Sequence, residues 1–455
     1  MPAAAHPAVT QYARHVNPAL VKLLGVFGYG RVFVRARDVS VWDDRGTEYL
    51  DFLAGFGAVN LGHNHPRLIR RLRDFLVEDP VNLVHTGPAV HAAELAAALA
   101  SRLDGQLEVS LFSSSGAEAV DAALKLARAA TGRPGFVYCQ GGFPGTSLGA
   151  LSVMGGERFR RPFAPLVPGG EQIPFGDLGA LERALSARQA AAFVVEPIQA
   201  EGGVVLPPAG YLAGAGALCR RHGTLLALDE VQTGLGRTGG LFAHQAEGIA
   251  PDVLVLAKAL GGGIAPAAVT VTRADLHRQA YGAMQRFDLH GSTFAGNALA
   301  CVAALETLAI LDDEKLAQNS AARGEQLLDG LRRQLAGHPL VRDIRGRGLL
   351  VGIELGIADS RLLARVVPDQ LRETFAGILG QWFAMQLLER QILCQPAAHR
   401  WNVVKLEPPL TVQAVHIDRV VEAVADVLDS GRDVARLVRD ITARLGRQAL
   451  KGWAF

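Results

Sequence analysis

The sequence predicts an α/β protein: a parallel sheet covered by helices on both faces, followed by a smaller α+β domain. Three observations carry this reading. Short apolar runs at residues 108–112, 192–195, 225–228 and 253–256 end in polar punctuation, the pattern of buried parallel strands. Helical patterns lie between them, and strand–helix alternation implies a sheet sandwiched by helices. The last third breaks the alternation, with long helical stretches between short strands.

Taken in order, residues 32–52 read as a short hairpin turning at Asp44-Arg45-Gly46. After strand 108–112, Val120, Leu124 and Ala127 share one face of a helix that follows Ser115-Gly116. Residues 211–221 form a second helix between strands 192–195 and 225–228. Residues 299–335 read as one long helical stretch breaking near Gly337. A strand at 349–354, a helix at 371–391, a strand at 403–406 and an amphipathic helix from about 417 complete the chain. No internal repeat, low-complexity block or flexible linker interrupts it.

At about 150 residues per domain, 455 residues suggest two or three domains. Hydrophobic residues make up 49% and charged residues 20%, a composition that excludes disorder. The formal charge is +2, which gives no electrostatic footprint for nucleic acid or an anionic membrane. Cys139, Cys219, Cys301 and Cys394 are far apart and form no CxxC pair, so a reducing, cytoplasmic compartment is expected. The start of the chain lacks the basic residues and apolar run of a signal peptide. The most apolar long stretch, 253–271, holds Lys258, three glycines and Pro266, which argues against a spanning helix. No His/Asp/Glu spacing suggests a metal. Only six of the 46 basic residues are Lys, so each Lys draws notice.

Residues 234–239 match GxGxxG, but a polar segment separates them from the preceding strand and no helix opens after them. The motif reads as a loop. A stronger constellation lies at strand ends, where open α/β sheets bind ligands. Strand 225–228 ends in Asp229, strand 253–256 leads to Lys258, and strand 108–112 leads through Ser115 and Gly116 into a helix. Backbone N–H groups at a helix start favour a phosphate. A lysine under an apolar run has its amine pKa lowered and can form a Schiff base. A carboxylate facing a pyridine nitrogen keeps it protonated, which makes the ring an electron sink. Each residue alone has a bland reading as a cap or surface group. Together, an acid, an amine and a phosphate cradle are what pyridoxal 5'-phosphate requires.

The sequence resembles the class III aminotransferases, pyridoxal-phosphate enzymes of fold type I. The resemblance runs from about Phe33 to Leu410. It is carried by segments 60–66 (NLGHNHP), 115–119 (SGAEA), 196–203 (EPIQAEGG), 228–234 (LDEVQTG), 257–263 (AKALGGG) and 290–297 (HGSTFAGN). Segments 158–163, 204–208 and 406–410 have the flavour of the putrescine-type branch. The resemblance implies a large domain with a mostly parallel seven-stranded sheet at 63–320, and a small domain built from segment 1–62 and residues 321–455. It implies roles residue by residue. Lys258 is the Schiff-base lysine and proton shuttle, and Asp229 the partner of the pyridine nitrogen. Val231 packs under the ring, Phe143 stacks on its other face, and Gln232 bonds the ring hydroxyl. Ser115, Gly116 and Ala117 cradle the phosphate. Thr293 reaches the phosphate of the neighbouring subunit, which implies a homodimer with shared sites. Phe56 shapes the substrate mouth.

Departures from the family pattern bear on substrate. Pro144 stands where the family usually has His. Thr146 stands where amino-acid-specific members carry a carboxylate-gripping Arg, which weakens the demand for an alpha-carboxylate on the donor. Lys405 replaces the usual Arg before Pro-Pro-Leu, and is expected to pair with Glu201. Lys is a point charge and cannot grip a carboxylate bidentately. The implied activity is ping-pong transfer of an amino group from a primary amine or omega-amino donor to a keto acid, 2-oxoglutarate or pyruvate (an EC 2.6.1-type transaminase). The same residues serve decarboxylases, aminomutases and racemases, and a nicotinamide-dependent dehydrogenase using residues 234–239 is the reading from another class.

Overall fold

The computed structural model describes residues 6–26, 30–103, 106–356 and 372–431. The expected start of one helix at Leu371 and the continuation of the last helix beyond 431 lie outside these.

Strands Phe33–Arg37, Ser40–Asp43 and Glu48–Asp51 (β1–β3) form an antiparallel meander. The expected hairpin is thus three-stranded. Its second turn is the one predicted: Asp43 Oδ1 accepts from the N–H groups of Arg45 and Thr47 at 3.0 and 2.9 Å, and Gly46 takes φ +81°, a conformation that favours glycine.

Leu107–Ser113, Gly135–Cys139, Gly170–Ile173, Ala190–Val195, Leu225–Asp229, Val253–Leu256 and Ala268–Arg273 (β4–β10) form one seven-stranded sheet, in the order β4-β10-β9-β8-β7-β5-β6. β10 runs antiparallel to both neighbours, and the rest run one way. Alternate residues serve opposite faces. Val194, Ala227 and Val255 pack with Val120 and Leu124 of helix Gly116–Thr131, whereas Phe193, Leu226, Leu228, Leu254 and Leu256 join the core on the other side. Burial on both faces is why these strands read as unbroken apolar runs. Each such side chain contributes roughly 1.5–3 kcal/mol of burial.

The edge strand β4 departs from expectation, being half-buried through most of its length. β5, β6 and β10 escape the sequence reading. β6 is short and largely exposed, and β10 follows β9 so closely that both merge into one apolar stretch.

The stretch 299–335 is two helices, Ala298–Asp313 and Leu316–Gln334. They are broken at Lys315, which takes φ +52°. Asp312, Asp313 and Glu314 crowd the first helix's C-terminus, where the macrodipole disfavours negative charge. Strands Val341–Arg347, Leu350–Leu355, Ile392–Leu393, Gln395–Pro396 and Val403–Leu406 (β11–β15) follow. β11, β12, β15 and β14 form an antiparallel sheet, while β13 pairs with β3 in parallel, Ile392 opposite Leu50. A strand from the last third therefore completes the N-terminal sheet. No described helix is long and apolar enough to cross a membrane.

Candidate active site

Because β4, β5, β7, β8 and β9 run the same way, their carboxyl ends open on one edge of the sheet. Asp229 ends β8. Lys258 follows β9 after one residue, at φ +47°, and opens a short 3-10 turn. β8 and β9 are adjacent, with Asp229 opposite Val255. Acid and amine are thus brought together by strand pairing alone.

The setting tunes both groups. Burial pushes the Asp229 carboxyl up to about 6, although the Val231 N–H and the charge of Lys258 oppose it. Asp229 Oδ1 accepts from that N–H at 3.0 Å. Burial also holds the Lys258 amine below its ordinary value, against the carboxylates of Glu201 and Glu407. A larger neutral fraction makes that amine a better nucleophile. A further carboxyl, Glu196, follows β7. Burial, and then the charge of Asp229, push it up to about 8. Its oxygens accept from Phe143 N–H at 2.8 Å and Ala200 N–H at 3.3 Å.

The phosphate cradle follows from helix capping. Ser115 is the N-cap of helix Gly116–Thr131, its hydroxyl accepting from Glu118 N–H at 3.2 Å, while Glu118 Oε2 accepts from Ser114 N–H at 2.8 Å. These two bonds fix the first turn of the helix. A Cβ on Gly116 would lie 3.1 Å from Val231 and 3.5 Å from Ala257, so glycine leaves the space between cradle and strand ends free. A Cβ on Gly145 would sit 2.6 Å from Ala117, so the loop carrying Phe143 lies directly on the cradle.

Next to Lys258 lies a buried charged cluster. Lys405, wholly buried on β15, pairs with Glu201 as expected and with Glu407 at 3.0 Å. Burial works against the Lys405 charge, but Glu407 and Glu201 outweigh it and hold the ammonium above its ordinary value. Burial likewise opposes the Glu201 charge, yet Lys405 and then Lys258 keep its carboxyl below the usual range. Gln232 donates from Nε2 to Glu407 Oε1 at 2.5 Å and accepts from Lys258 Nζ at Oε1. The Phe56 ring lies 5.6 Å from Lys405 Nζ.

Phe143 packs edge-on against Phe159 and His399, centroids 5.4 and 5.8 Å away. His399 contacts the Gly142 carbonyl at 3.2 Å, and its N–H donates to the Glu201 carbonyl at 3.0 Å. Thr293 is exposed on the segment before helix Ala298–Asp313 and makes no part of the cluster in the single chain. Residues 234–239 form turns, as read, and Arg237 explains them. Wholly buried, it donates to Asn60 Oδ1 and to the carbonyls of Leu349 and Pro408. The motif serves packing.

Sequence reasoning gave no role to Glu196, His399, Arg237 or Glu407. Glu407 had one legible signal: Lys405 and Glu407 are two charges at spacing two on and just beyond an apolar strand, hence on one face.

These residues fit pyridoxal phosphate. The slot beside Gly116 adjoins a helix N-terminus for the phosphate, the buried Asp229 carboxyl suits a cationic ring nitrogen, and Lys258 offers an amine for the aldehyde.

The class III aminotransferase family model matches residues 28–428. Aminotransferase PigE of Serratia sp. is 38% identical over 452 residues, covering 92% of this chain and 53% of that protein, so the chain spans about half the length of this curated relative. The structure of ornithine aminotransferase from Toxoplasma gondii is 34% identical, with a TM-score of 0.78 over 88% of this chain and 91% of that one. A thermostable (S)-enantioselective omega-transaminase from Thermomicrobium roseum is 32% identical, with a TM-score of 0.84 over 94% and 98%. On the matched residues and the fold, this chain belongs to the class III aminotransferases, on pyridoxal-phosphate fold type I.

Proposed function

We propose that the protein is a pyridoxal-phosphate aminotransferase that moves an amino group from a primary amine or omega-amino donor to a keto acid, 2-oxoglutarate or pyruvate. The observation that carries this is the placing of Lys258 beside Asp229 at the ends of adjacent strands, next to a capped helix start. Bound there, the cofactor supplies an aldehyde for covalent attachment and a ring that draws electrons from the substrate carbon. Lys258 would anchor it and, when not bonded to it, would hold and move a proton at its Nζ. Asp229 holds the ring nitrogen protonated. Ser115, Gly116 and Ala117 would take the phosphate, Val231 and Phe143 would bound the ring, and Gln232 would hydrogen-bond the ring hydroxyl. Lys405 meets the keto-acid carboxylate after Glu201 lets go of it. Thr146, uncharged, leaves the donor without a second carboxylate grip.

The active species in this reading is a cytoplasmic homodimer. Exposed Met284, Phe287, Leu289 and Phe294 around Thr293 support a covered face there. Cys139, Cys219 and Cys301, buried and outside any disulfide, suit a reducing compartment. The division into 1–62, 63–320 and 321–455 stands as part of the same reading, supported by the β3–β13 pairing.

The test is a half-reaction screen by visible absorbance. Cofactor-loaded protein is mixed with single amines and no keto acid. Loss of the lysine-bound cofactor band, restored by 2-oxoglutarate, is the expected result. A loaded protein that no amine converts points to decarboxylase, aminomutase or racemase chemistry, and failure to hold the cofactor overturns the role of Lys258.

A further inference from the structure

Glu407 is wholly buried, and its two oxygens face two donors: Oε1 takes Gln232 Nε2 at 2.5 Å and Oε2 takes Lys405 Nζ at 3.0 Å. An ionised carboxylate only accepts. Gln232 must therefore turn its NH2 toward Glu407, which leaves its carbonyl oxygen for Lys258 Nζ. The turn at Phe56 and Gly57 closes over this contact. Gly57 takes φ +77°, a conformation that favours glycine, and a Cβ there would make ordinary contacts at 3.5 Å from Gln232 and 3.9 Å from both Glu407 Oε1 and Arg237 Nε, so the turn packs directly against the pair. The result is a continuous path, Lys405–Glu407–Gln232–Lys258, from the group proposed to meet the keto acid to the group that holds the cofactor.

We propose that Glu407 is a positioning residue that ties the Lys405 clamp to the cofactor lysine by fixing the orientation of the Gln232 amide between them. The inference rests on the cofactor reading above. It has two consequences. With Glu407 in place, Lys405 faces two carboxylates, so its pull on an incoming anion is partly cancelled and the pocket favours a cationic amine. The Glu407 charge also favours the protonated state at Lys258, together with Glu201 and Asp229 and against Lys405. Glu196 also acts on the same lysine, and Arg237 acts on Glu407.

Glu407→Gln keeps shape but removes the charge and one acceptor. A glutamine offers one oxygen and one NH2 where the carboxylate offers two oxygens, so its NH2 faces either Gln232 Nε2, which then flips or loses its partner, or Lys405, which then loses an acceptor. In the loaded protein, the pH titration of the lysine-bound absorbance band is expected to shift downward by about half a unit or more. The apparent KM for 2-oxoglutarate is expected to fall several-fold while that for the amine rises. A merely structural role would move both KM values the same way and leave the titration in place. That pattern, or no change in either readout, overturns the proposal.

Should Glu407→Gln not fold, the pair Lys405→Met with Glu407→Gln removes both buried charges together, which buried pairs tolerate better than loss of one partner. Its band is expected to titrate near the wild-type pH, because opposite charges have been removed, while the KM for 2-oxoglutarate rises. A strong shift in the double variant overturns the coupling. Borohydride fixation of the cofactor on wild-type Lys258 separates the two failures. Absence of fixation defeats the cofactor reading and this inference with it, whereas fixation with unmoved variants defeats only the inference.

Discussion

The cofactor end and the charged cluster are both built on buried ionisable groups, yet they are assembled differently. Asp229, Val231, Gln232 and Lys258 stand at the ends of two adjacent parallel strands. The cluster draws Glu201 from the loop after β7, Lys405 from the last strand of another sheet and Glu407 from just beyond it, and Phe56 from the N-terminal turn. The first is a property of one sheet. The second exists only because the C-terminal sheet is docked over it. A site of the first kind suits chemistry shared by a whole family, and one of the second kind can change by substitution in any of several segments, as Lys405 and Glu407 illustrate. The comparison predicts where mutations act on rate and where they act on substrate choice and stability.

The largest effect is expected at the cofactor end. Lys258→Ala removes the proposed anchor and proton carrier, and amino transfer should fall by a factor of about 10⁴. Single-turnover absorbance measures it, and turnover within tenfold of wild type would break the assignment. Lys405→Ala tests the cluster. It leaves Glu201 and Glu407 buried without their cation, at a cost of about 3–5 kcal/mol in stability. Urea unfolding should register that loss, and the KM for the keto acid should rise more than the KM for the amine. Equal rises would remove Lys405 from acceptor recognition. Asp229→Asn keeps the shape but loses the charge proposed to hold the ring nitrogen protonated. A loss of roughly 10²–10³ in kcat is expected, with the KM for the keto acid little changed.

The smallest effect is a pH dependence that sharpens the contrast. Asp229 and Glu196 have folded pKa values pushed up to about 6 and about 8, above their unfolded values. Each takes up more protons folded than unfolded, so the stability linked to it is full below the unfolded pKa and is lost as pH rises through the folded one. Without cofactor, the melting temperature should therefore decline between about pH 4 and 8. A cationic ring nitrogen beside Asp229 stabilises its charge, so the gap between loaded and cofactor-free melting temperatures should widen over that window. A constant gap would mean that Asp229 does not meet the ring. Glu201, held below the usual carboxylate range by Lys405, works in the opposite sense, its contribution being lost only as pH falls through its folded value.

Legibility followed the same division. Strands β7, β8 and β9 were readable because burial on both faces leaves an uninterrupted apolar run, and their polar ends marked Asp229 and Lys258. The helix after Ser115 was readable from its cap and one apolar face. β10 was hidden because residues 257–267, between it and β9, carry a single charge, Lys258, so the two strands share one apolar stretch, and the pair Ala298–Asp313 and Leu316–Gln334 read as one helix because a single left-handed residue, Lys315, leaves no trace in the apolar pattern. The Glu201–Lys405 pair was expected only through the family pattern, and Glu407 carried no role at all.

What the sequence determined by itself is whatever depends on local periodicity and chain order: the parallel sheet, the capped helix start, and an acid and an amine at neighbouring strand ends. The tertiary structure alone decided that Lys405 is wholly buried between two carboxylates, that Gln232 links Glu407 to Lys258, and that the glycine-rich loop at 234–239 is a seat for Arg237. The reason is physical. Strand ends are ordered by hydrogen bonding between neighbours, which residue patterns encode, whereas a buried charge acquires its partners from segments up to 204 residues away, and only docking the sheets specifies them.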